Sequence, residues 1–577
     1  MKDFAALYRE LDAATSIRSK HRALVAYLTE ARTTSARRAS AAWAIYLLAG
    51  GKPRQIAPTR YLRRLAQETA EVPEWLFEES YATVGDLAET VCLLTPVDGT
   101  AEAAPLHIWM TERLLPLRDM PDAEKYAAFK SQALATPPSE RFVFFKILTG
   151  HYRIGVSKQQ IIRALAEVAA LDAVTIAHRM SGYTQADRRP DAADFDALLA
   201  PADECGATLR ERPYPFYLAH PLGRGQASLP AALGPIGDWL AEWKFDGVRG
   251  QAIVRNGRLS VWSRGEELVT ESFPELAALE TILPQDICLD GEIVVMRSQD
   301  SALIEPESLS GLESFATLQR RLGRRRPGSK ILADAPAAFI AYDLLDCDGV
   351  DLRSEPQHQR RARLSEVVHR AFERTNLQRF FAPPLRLSPL LRASDWDALD
   401  RLRQDARRLG AEGVMLKARE GRYGAGRRKG GDRTDVWWKW KLDPLSLDAV
   451  LIYAQRGHGR RSGLCSDYTF AVWTEDEDGA RRLTPFARAY SGLDDAEMKA
   501  VDRIIRRTTV ETFGPVRRVE PTLVFELGFE GVVASGRHKS GVAVRFPRIL
   551  RWRKDKSVAE ADTLAHLKSL VSGATNG

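Results

Sequence analysis

The residues with the clearest chemical potential lie at positions 242–249, which read EWKFDGVR. Lys244 is the candidate nucleophile, because a lysine amine attacks an electrophile when it is neutral and held in the right geometry. Asp246 and Gly247 predict a tight turn directly after a strand, which would present the lysine at the mouth of a pocket. Arg249 would then lie on the next strand. A match of this kind standing alone is better explained as an exposed lysine beside a turn.

Further charged motifs follow in chain order. Asp290-Gly291-Glu292 places two carboxylates on one face of a strand, because side chains alternate with a period of two. The run WWKWK at 437–441 places Lys439 and Lys441 on one face with aromatic packing behind them, which predicts a rigid phosphate clamp. The other elements are Ser263-Arg264, the segment FIAYD with Tyr342, the strand start EGVMLK at 412–417, Arg433, and the basic run at 545–556. Each alone fits a solvated strand or surface, but their ordered combination does not.

The elements that must position these residues change in character along the chain. Residues 1 to about 200 show helical periodicity, with Ser35 and Ser157 as candidate N-caps. From about residue 236 strands and helices mix, and Asn256-Gly257 predicts a hairpin turn. After Pro444, short strands separated by glycine and acidic turns, with one intervening helix, fit a small barrel such as the OB-fold.

Composition and charge bound the class of protein. The chain has 577 residues, 45% of them hydrophobic and 28% charged, which is typical of a globular protein of three to four domains. The formal net charge of +7 suits a polyanion partner without establishing one. Five scattered cysteines without a CxxC pair argue against a disulfide framework and a four-thiolate zinc site. No stretch has the pattern of a signal peptide or a membrane span, so we expect a cytoplasmic protein.

In this order the motifs resemble those of the covalent nucleotidyltransferases, the superfamily of DNA ligases, RNA ligases and mRNA capping enzymes. The resemblance covers about 240–556 directly. The helical N-terminal third, with its YRIGVS segment, looks like the DNA-binding domain of three-domain ATP-dependent DNA ligases. The implied fold is multidomain: an all-α DNA-binding domain at 1–203, an α+β nucleotidyltransferase core with ATP-grasp-like antiparallel sheets at 204–443, and a β-barrel OB-fold at 444–577.

The resemblance also implies roles for single residues. Lys244 would take AMP from ATP as a lysyl-AMP phosphoramidate, and Glu242 would recognise the adenine. Tyr342 would stack on the base, at a position where many relatives carry phenylalanine. The remaining implied contacts are Arg249 and Arg264 with the ribose and the nick phosphate, Glu292 and Glu412 with the nucleotide and with Mg²⁺ or another divalent cation, and Arg433, Lys439 and Lys441 with the phosphates.

Arg553, Asp555 and Lys556 lie on the predicted C-terminal barrel, far in sequence from the nucleophile. The resemblance implies that this domain closes to orient the β- and γ-phosphates and then swings away so that DNA can be gripped. AMP would pass to the 5′-phosphate of a nick in duplex DNA, and the 3′-hydroxyl would then displace it. A single chain carries every motif, which predicts a monomer. Candidate DNA contacts are the basic segments 320–326, 422–433 and 456–461, with Arg153 and Lys158 near a helix start.

Three alternatives remain open at this point. An RNA ligase or a capping-type guanylyltransferase shares the lysine chemistry, but the large helical third and the run FPRILRWRKDK favour a DNA ligase. An NAD-dependent ligase typically has a four-cysteine zinc module, which is not visible. A non-catalytic DNA-binding protein predicts erosion at the motif residues, yet Lys244, Glu292, Glu412 and Lys439 are intact. Replication, repair and recombination all need nick sealing, and the sequence does not separate them.

Overall fold

The computed structural model describes residues 1–96, 103–150, 152, 154–201, 212–222, 233–297, 305–324, 326–377, 384–426, 436–457, 463–475, 479–513 and 516–571. The chain forms two compact units. The first comprises Met1–Ala57 and Thr100–Leu442, and the second comprises Pro58–Gly99 and Asp443–Gly577. None of the helices in these described ranges is long and apolar enough to cross a membrane.

The N-terminal third is helical, as the sequence predicts. Its helices are α1 Lys2–Ala13, α2 Ile17–Ala31, α3 Ser35–Leu48, α4 Thr59–Ala70, α5 Glu74–Val84, α6 Leu87–Leu94, α7 Leu106–Ile108, α8 Asp122–Ala135, α9 Pro138–Thr149, α10 Lys158–Ala169, α11 Ala173–Arg179 and α12 Ala192–Leu199. Helices α4 to α6 belong to the second unit and the others to the first. Ser157 caps α10 in a capping box with Gln160, as predicted. The predicted cap Ser35 is wrong by one position, because the Thr34 side chain accepts the backbone N–H of Arg37 and so caps α3.

The mixed part of the first unit follows. Its strands are β1 His220–Pro221, β2 Trp239–Phe245, β3 Val248–Arg255, β4 Arg258–Ser263, β5 Ile287–Val295, β6 Ala337–Cys347, β7 Val350–Asp351, β8 Leu385–Leu387, β9 Leu390–Leu391, β10 Ala411–Ala418 and β11 Trp437–Lys441. Its helices are α13 Leu279–Ile282, α14 Phe315–Gln319, α15 Ser329–Asp334, α16 Gln357–Leu377 and α17 Trp396–Asp405. Asn256 and Gly257 both take left-handed conformations, φ 51° and 72°, and so form the predicted hairpin turn between β3 and β4.

Two sheets carry the motif residues. One has the strand order β1-β11-β10-β2-β9, and the other has β4-β3-β5-β6-β7 with β8 beside β6. Neighbouring strands are antiparallel except for the pairs β1–β11 and β6–β8. Each sheet buries one face in an apolar core, the first around Trp243, Val414 and Leu416, the second around Ala252 and Leu289. The opposite faces carry the polar motif residues together with a smaller buried cluster around Tyr217, Ile253 and Trp437.

The C-terminal part of the second unit is a sheet domain. Its elements are β12 Leu445–Arg456, β13 Cys465–Glu475, β14 Arg481–Ala489, α18 Asp495–Thr508, β15 Thr509–Phe513, β16 Val516–Val519, β17 Val524–Phe529, β18 Gly531–Ala534, β19 Val542–Arg545, β20 Arg548–Trp552 and α19 Leu564–Ser569. The long strand β12 pairs with β13 on one side, and with β17 and then β16 on the other. Its core contains Phe470, Phe525 and Val501 of α18. Short strands with one intervening helix are what the sequence predicts here.

Candidate active site

Lys244 lies near the end of β2, directly before the turn at Asp246 and Gly247. Its Nζ pairs with Oε2 of Glu412, and Nζ of Lys441 lies 3.2 Å from the same oxygen. All three side chains are partly buried, with exposures of 22%, 19% and 32%. Burial acts to raise the pKa of Glu412, but the two ammonium groups outweigh it and lower that pKa. The structure therefore brings three predicted site residues together around one carboxylate oxygen.

Glycine permits this arrangement at two places. The register of β10 on β2 shifts between Ala411 and Val414, and Gly413 in this bulge has φ 140°. A Cβ on Gly413 would lie 2.3 Å from the carbonyl oxygen of Trp440, so only glycine lets β10 approach β11 and place Glu412 beside Lys441. A Cβ on Gly247 would lie 2.7 Å from Cγ of Glu292. The turn after the lysine is thus packed against the second sheet.

Strand β11 alternates as predicted. Lys439 is opposite Met415, which is in turn opposite Glu242, so these side chains share the polar face of the sheet. Trp438 and Trp440 pack against the apolar core on the other face. The aromatic rings behind the lysines therefore stiffen the strand that carries them.

Glu242 is almost completely buried and binds two cations. Its Oε2 lies 2.5 Å from Nζ of Lys417, and its Oε1 accepts from Arg361 at 3.2 Å. Lys417 also donates to the carbonyl oxygen of Tyr342 at 2.9 Å and lies 4.5 Å from the centre of the Tyr342 ring. Arg361 donates to the carbonyl oxygen of Ser388. The two residues expected at the base, Glu242 and Tyr342, are thus joined by one lysine.

Arg249 is held by a carboxylate and an aromatic cage. Its guanidinium donates to Asp290 at 2.7 and 3.2 Å and to the carbonyl oxygen of Tyr217 at 2.6 Å. The hydroxyl of Tyr423 donates to Asp290 at 2.7 Å. The guanidinium carbon lies 5.3 Å from the centre of the Trp437 ring. Burial acts to lower the pKa of Arg249, but Asp290 outweighs it and raises that pKa, so the arginine stays charged.

Glu292 lies opposite Arg249 in the β3–β5 pair and is half-buried. Burial raises its pKa to about 7; Lys244 and Arg249 oppose this rise, whereas Asp290 and Glu412 add to it. Glu292 shares the neighbourhood of Lys244 with a second carboxylate, Glu412. Two hard oxygen donors suit Mg²⁺, whose remaining ligands are usually water and substrate phosphates. The part of the chain that the structure describes contains no group of three or more His, Cys, Asp or Glu side chains that could hold a metal ion.

The other predicted residues of the first unit are less tightly engaged. Arg264 follows β4, its side chain is exposed, and its backbone N–H donates to the carbonyl of Arg249 at 2.9 Å. Two residues later, the carboxylate of Glu266 pairs with Lys158 at the start of α10 and accepts the N–H of Gly182 at 3.1 Å. The helical region is thereby attached to the loop that carries Arg264. Arg433 and Arg153 lie outside the described residues.

In the second unit, Arg553 and Lys556 of the C-terminal run form a cluster with two acids, Asp448 and Asp555. Arg553 lies 2.7 Å from Asp555 and 2.8 Å from Asp448, and Lys556 lies 2.6 Å from Asp448. The hydrogen bond from Arg553 is the main cause that lowers the pKa of Asp555 to about 2. Asp448 lies 105 residues before Arg553 and belongs to none of the sequence motifs.

Only some residues of the basic segments proposed as DNA contacts are exposed. In the segment 320–326, Arg321 is 2% exposed and binds Glu275 at 2.5 Å, so the expectation that it contacts DNA is wrong. Its charge is used inside the fold because the adjoining loops need a donor there. Arg324 and Arg326 are exposed, as are Arg422 and Arg456. Arg325, 427–433 and 458–461 lie outside the described residues.

Several contacts of the site have no clear signal in the sequence. Arg361 lies on α16 among many other charged residues. Tyr217 and Tyr423 lie outside the regular strands and pack against each other, with ring centres 5.8 Å apart. Lys417 is the exception, because it ends the motif EGVMLK and its strand partner Trp437 is in the next motif.

Matches to known families cover most of the chain. Residues 227–441 match the ATP dependent DNA ligase domain, 1–166 match the DNA ligase N terminus, and 461–556 match the ATP dependent DNA ligase C terminal region. A probable DNA ligase of Koribacter versatilis is 32% identical over 76% of this chain and 73% of its own length. The chain belongs to the ATP-dependent DNA ligase family. It is therefore an enzyme that forms phosphodiester bonds and uses ATP with a divalent metal such as Mg²⁺.

Other relatives agree with this membership. A probable DNA ligase of Opitutus terrae is 33% identical over 77% of this chain and 46% of its own length. A DNA ligase of Methanoculleus marisnigri is 29% identical over 76% of this chain and 72% of its own length. The solved structure Pmar-Lig_Pre shares the fold, with a TM-score of 0.59 and 14% identity over 96% of this chain and 99% of that one. The RNA ligase and guanylyltransferase alternative is not favoured by these matches.

Proposed function

We propose that Lys244 is the nucleophile with which this ligase takes AMP from ATP, and that the enzyme then seals nicks in duplex DNA through a DNA-adenylate. The observation that carries this assignment is the carboxylate of Glu412, which binds Lys244 and Lys441 through one oxygen. Glu412 holds the amine of Lys244 at a fixed point beside a second cation that can bind phosphate. Such preorganised geometry is the main source of rate enhancement in phosphoryl-type transfer.

Neighbouring residues would bind the other parts of the nucleotide. Glu242 would accept the adenine amino group, held in place by Lys417 and Arg361, and Tyr342 would stack on the ring. Arg249, caged beside Tyr342, would face the ribose. The phosphates would be bound by Lys439 and Lys441, and by Arg433, Arg553 and Lys556. Arg264, on an exposed loop, would bind the nick phosphate.

Glu292 and Glu412 would hold the divalent cation, which when bound neutralises negative charge that develops on the α-phosphate. The chain's own contribution is to keep these two carboxylates close to the nucleophile. Gly247 allows the turn after Lys244 to pack directly on Glu292, and Gly413 allows Glu412 to reach Lys441.

The wider organisation is part of the same proposal. We take residues 1–203 as the DNA-binding domain, 204–443 as the adenylation domain and 444–577 as the OB-fold domain. The enzyme acts as a monomer, because one chain supplies each group that the three steps need. It works in the cytoplasm and, if its source is bacterial, in association with the nucleoid, where both ATP and nicked DNA are found.

The test uses purified protein incubated with α-labelled ATP, GTP or NAD and a divalent cation. Label should enter the protein from ATP alone and should leave on addition of nicked duplex DNA. Lys244→Ala should take up no label, whereas Lys330→Ala, which removes an exposed lysine of the same unit, should behave as the wild type. Label that persists in Lys244→Ala would contradict the assignment of the nucleophile, and label from GTP would contradict the choice of base.

A further inference from the structure

One buried carboxylate in the second unit, Asp448, holds two cations of the C-terminal run, Arg553 and Lys556. Oδ2 of Asp448 lies 2.8 Å from Nη1 of Arg553 and 2.6 Å from Nζ of Lys556. The Asp448 side chain is 8% exposed, whereas that of Asp555, the other acid bound to Arg553, is 62% exposed. Two cations that share one oxygen must lie side by side. Asp448 therefore fixes the spacing between them.

Asp448 is itself fixed by the sheet. It lies on β12, where its backbone N–H donates to Oδ2 of Asp562 at 2.7 Å, and the N–H of Asp562 donates back to its carbonyl at 2.9 Å. The backbone N–H of Arg553 donates to the carbonyl of Val524 on β17 at 2.9 Å. Strands β12 and β17 are paired, with Asp448 opposite Glu526. Carboxylate and guanidinium are thus attached to neighbouring strands of one sheet.

The two acids differ in what they can do when a polyphosphate arrives. Asp448 and Asp555 together offset the charge of Arg553 and Lys556. Asp555 is exposed and can turn into solvent, so its place on Arg553 can pass to a phosphate oxygen. Asp448 is buried and anchored, so it stays bound to one N–H group of Arg553 and one of Lys556. The other N–H groups of both cations can then bind the ligand. Preorganised donors of this kind bind charge without reorganisation.

We propose that Asp448 is a positioning residue for the first chemical step, in which Lys244 takes AMP from ATP. It acts through Arg553 and Lys556, which it holds as one binding pair for the β- and γ-phosphates. In that step the bond from Nζ of the neutral Lys244 amine to the α-phosphorus forms and the bond from that phosphorus to the bridging oxygen breaks. The proton that Nζ gives up passes to water, which reaches the partly exposed side chain of Lys244. The electron pair departs with pyrophosphate, the group that Arg553 and Lys556 would bind. The inference rests on the proposed roles of Arg553 and Lys556.

The later steps contain no triphosphate, so the requirement for Asp448 is confined to the first. The test compares Asp448→Asn with the wild type in two assays on the same preparation: lysyl-AMP formation from labelled ATP, and sealing of a nick that already carries AMP. Loss of one charged partner should lower the first rate about 10- to 100-fold and change the second less than about threefold. Their ratio does not depend on the fraction of protein that is folded.

Two further measurements sharpen the test. Pyrophosphate added to the adenylylated enzyme should regenerate ATP more slowly in Asp448→Asn, since the reverse reaction uses the same cations. Asp467→Asn removes the acid of another pair on this sheet, in which Arg488 lies 2.6 Å from Asp467, and should leave both rates unchanged. If Asp448→Asn does not fold, the same ratio is measured in Asp448→Glu, where a smaller fall is expected.

Several results would overturn the proposal. The proposal would be contradicted if Asp448→Asn left both rates unchanged. It would also be contradicted if both rates fell by the same factor, because an equal loss indicates a purely structural role. A faster first step would show that Asp448 competes with phosphate for the cations. Absence of label in the wild type would instead contradict the proposed nucleophile, so the two failures are distinguishable.

Discussion

Nζ of Lys417 lies 2.5 Å from Oε2 of Glu242, and both side chains are only 2–3% exposed. A charged pair this deeply buried is costly to break, because the remaining partner keeps its charge in a medium that solvates it poorly. Arg361 binds the other oxygen of the same carboxylate. The base pocket is therefore built on a cation–anion–cation chain that links β10, β2 and α16.

Lys417→Met should destabilise the first unit by about 3 kcal/mol, since Glu242 keeps Arg361 but loses its shorter contact. It should also raise the KM for ATP, because Glu242 is no longer held towards the adenine. Thermal unfolding and the ATP dependence of lysyl-AMP formation measure the two effects. Arg297→Met breaks a pair with Glu313 in which the arginine is 57% exposed, and it should cost less than about 1 kcal/mol. Equal stabilities of the two variants would contradict the prediction.

Glu412→Gln should lower the rate of lysyl-AMP formation about 100-fold, because an amide offers Lys244 and Lys441 no charge and binds a divalent cation poorly. Rapid-quench measurement over a range of Mg²⁺ concentrations would separate loss of positioning from loss of cation affinity. Glu420→Gln, at a carboxylate that is 75% exposed, is the control and should react as the wild type. A fall of less than about threefold in Glu412→Gln would remove Glu412 from the site.

Gly413→Ala should impair catalysis without touching a charged residue. The new Cβ would lie 2.3 Å from the carbonyl oxygen of Trp440, and the alanine would have to adopt a φ of 140°. Strain of about 1–3 kcal/mol would be relieved by moving the bulge, and Glu412 with it. We expect about tenfold slower lysyl-AMP formation. Gly328→Ala, where nothing lies within 4 Å of the added Cβ, should be silent. Indistinguishable rates for the two variants would show that the bulge does not position Glu412.

The stability of the first unit should depend on pH through His178. Burial lowers the pKa of His178 to about 4, and its ring stacks on Tyr214 with centres 4.9 Å apart. The unfolded chain takes up this proton near pH 6.5 and the folded chain only near 4. Stability is thus lost as pH falls through this window, by about 2–3 kcal/mol.

His178→Phe keeps a stacked ring and has no proton to gain. The difference in thermal midpoint between wild type and His178→Phe should therefore change steadily between pH 7 and pH 4, to the disadvantage of the wild type. Carboxylates that titrate in the same range are present in both proteins, so their effects on the two thermal midpoints cancel in the difference. A constant difference over this range would mean that His178 is protonated equally in both states.

The sequence predicts much of this site because its strands carry local patterns. The alternation in β11 predicts that Lys439 and Lys441 share a face. The turn at Asp246-Gly247 predicts that Lys244 lies near the end of its strand. The partners that arrive from distant segments are different. Arg361 reaches Glu242 across more than a hundred residues, and a helix rich in arginine gives no sign of which one turns inward. The DNA contact predicted for Arg321 is wrong for the same reason, since the charge of a residue does not reveal whether it is buried.

The carboxylate of Glu266, whose exposure is only 22%, ties Lys158 and Gly182 of the helical region to the loop of Arg264. The side chain of Gln185 adds a hydrogen bond of 3.4 Å to the backbone carbonyl of Glu266. The two segments are thus not interchangeable parts. A chimera that received the helical region of another ligase would need a cation at the position of Lys158, or it would leave the half-buried carboxylate of Glu266 without one. Substitutions at these two positions should accordingly be inherited together among relatives, and engineers who exchange domains should move the pair as one.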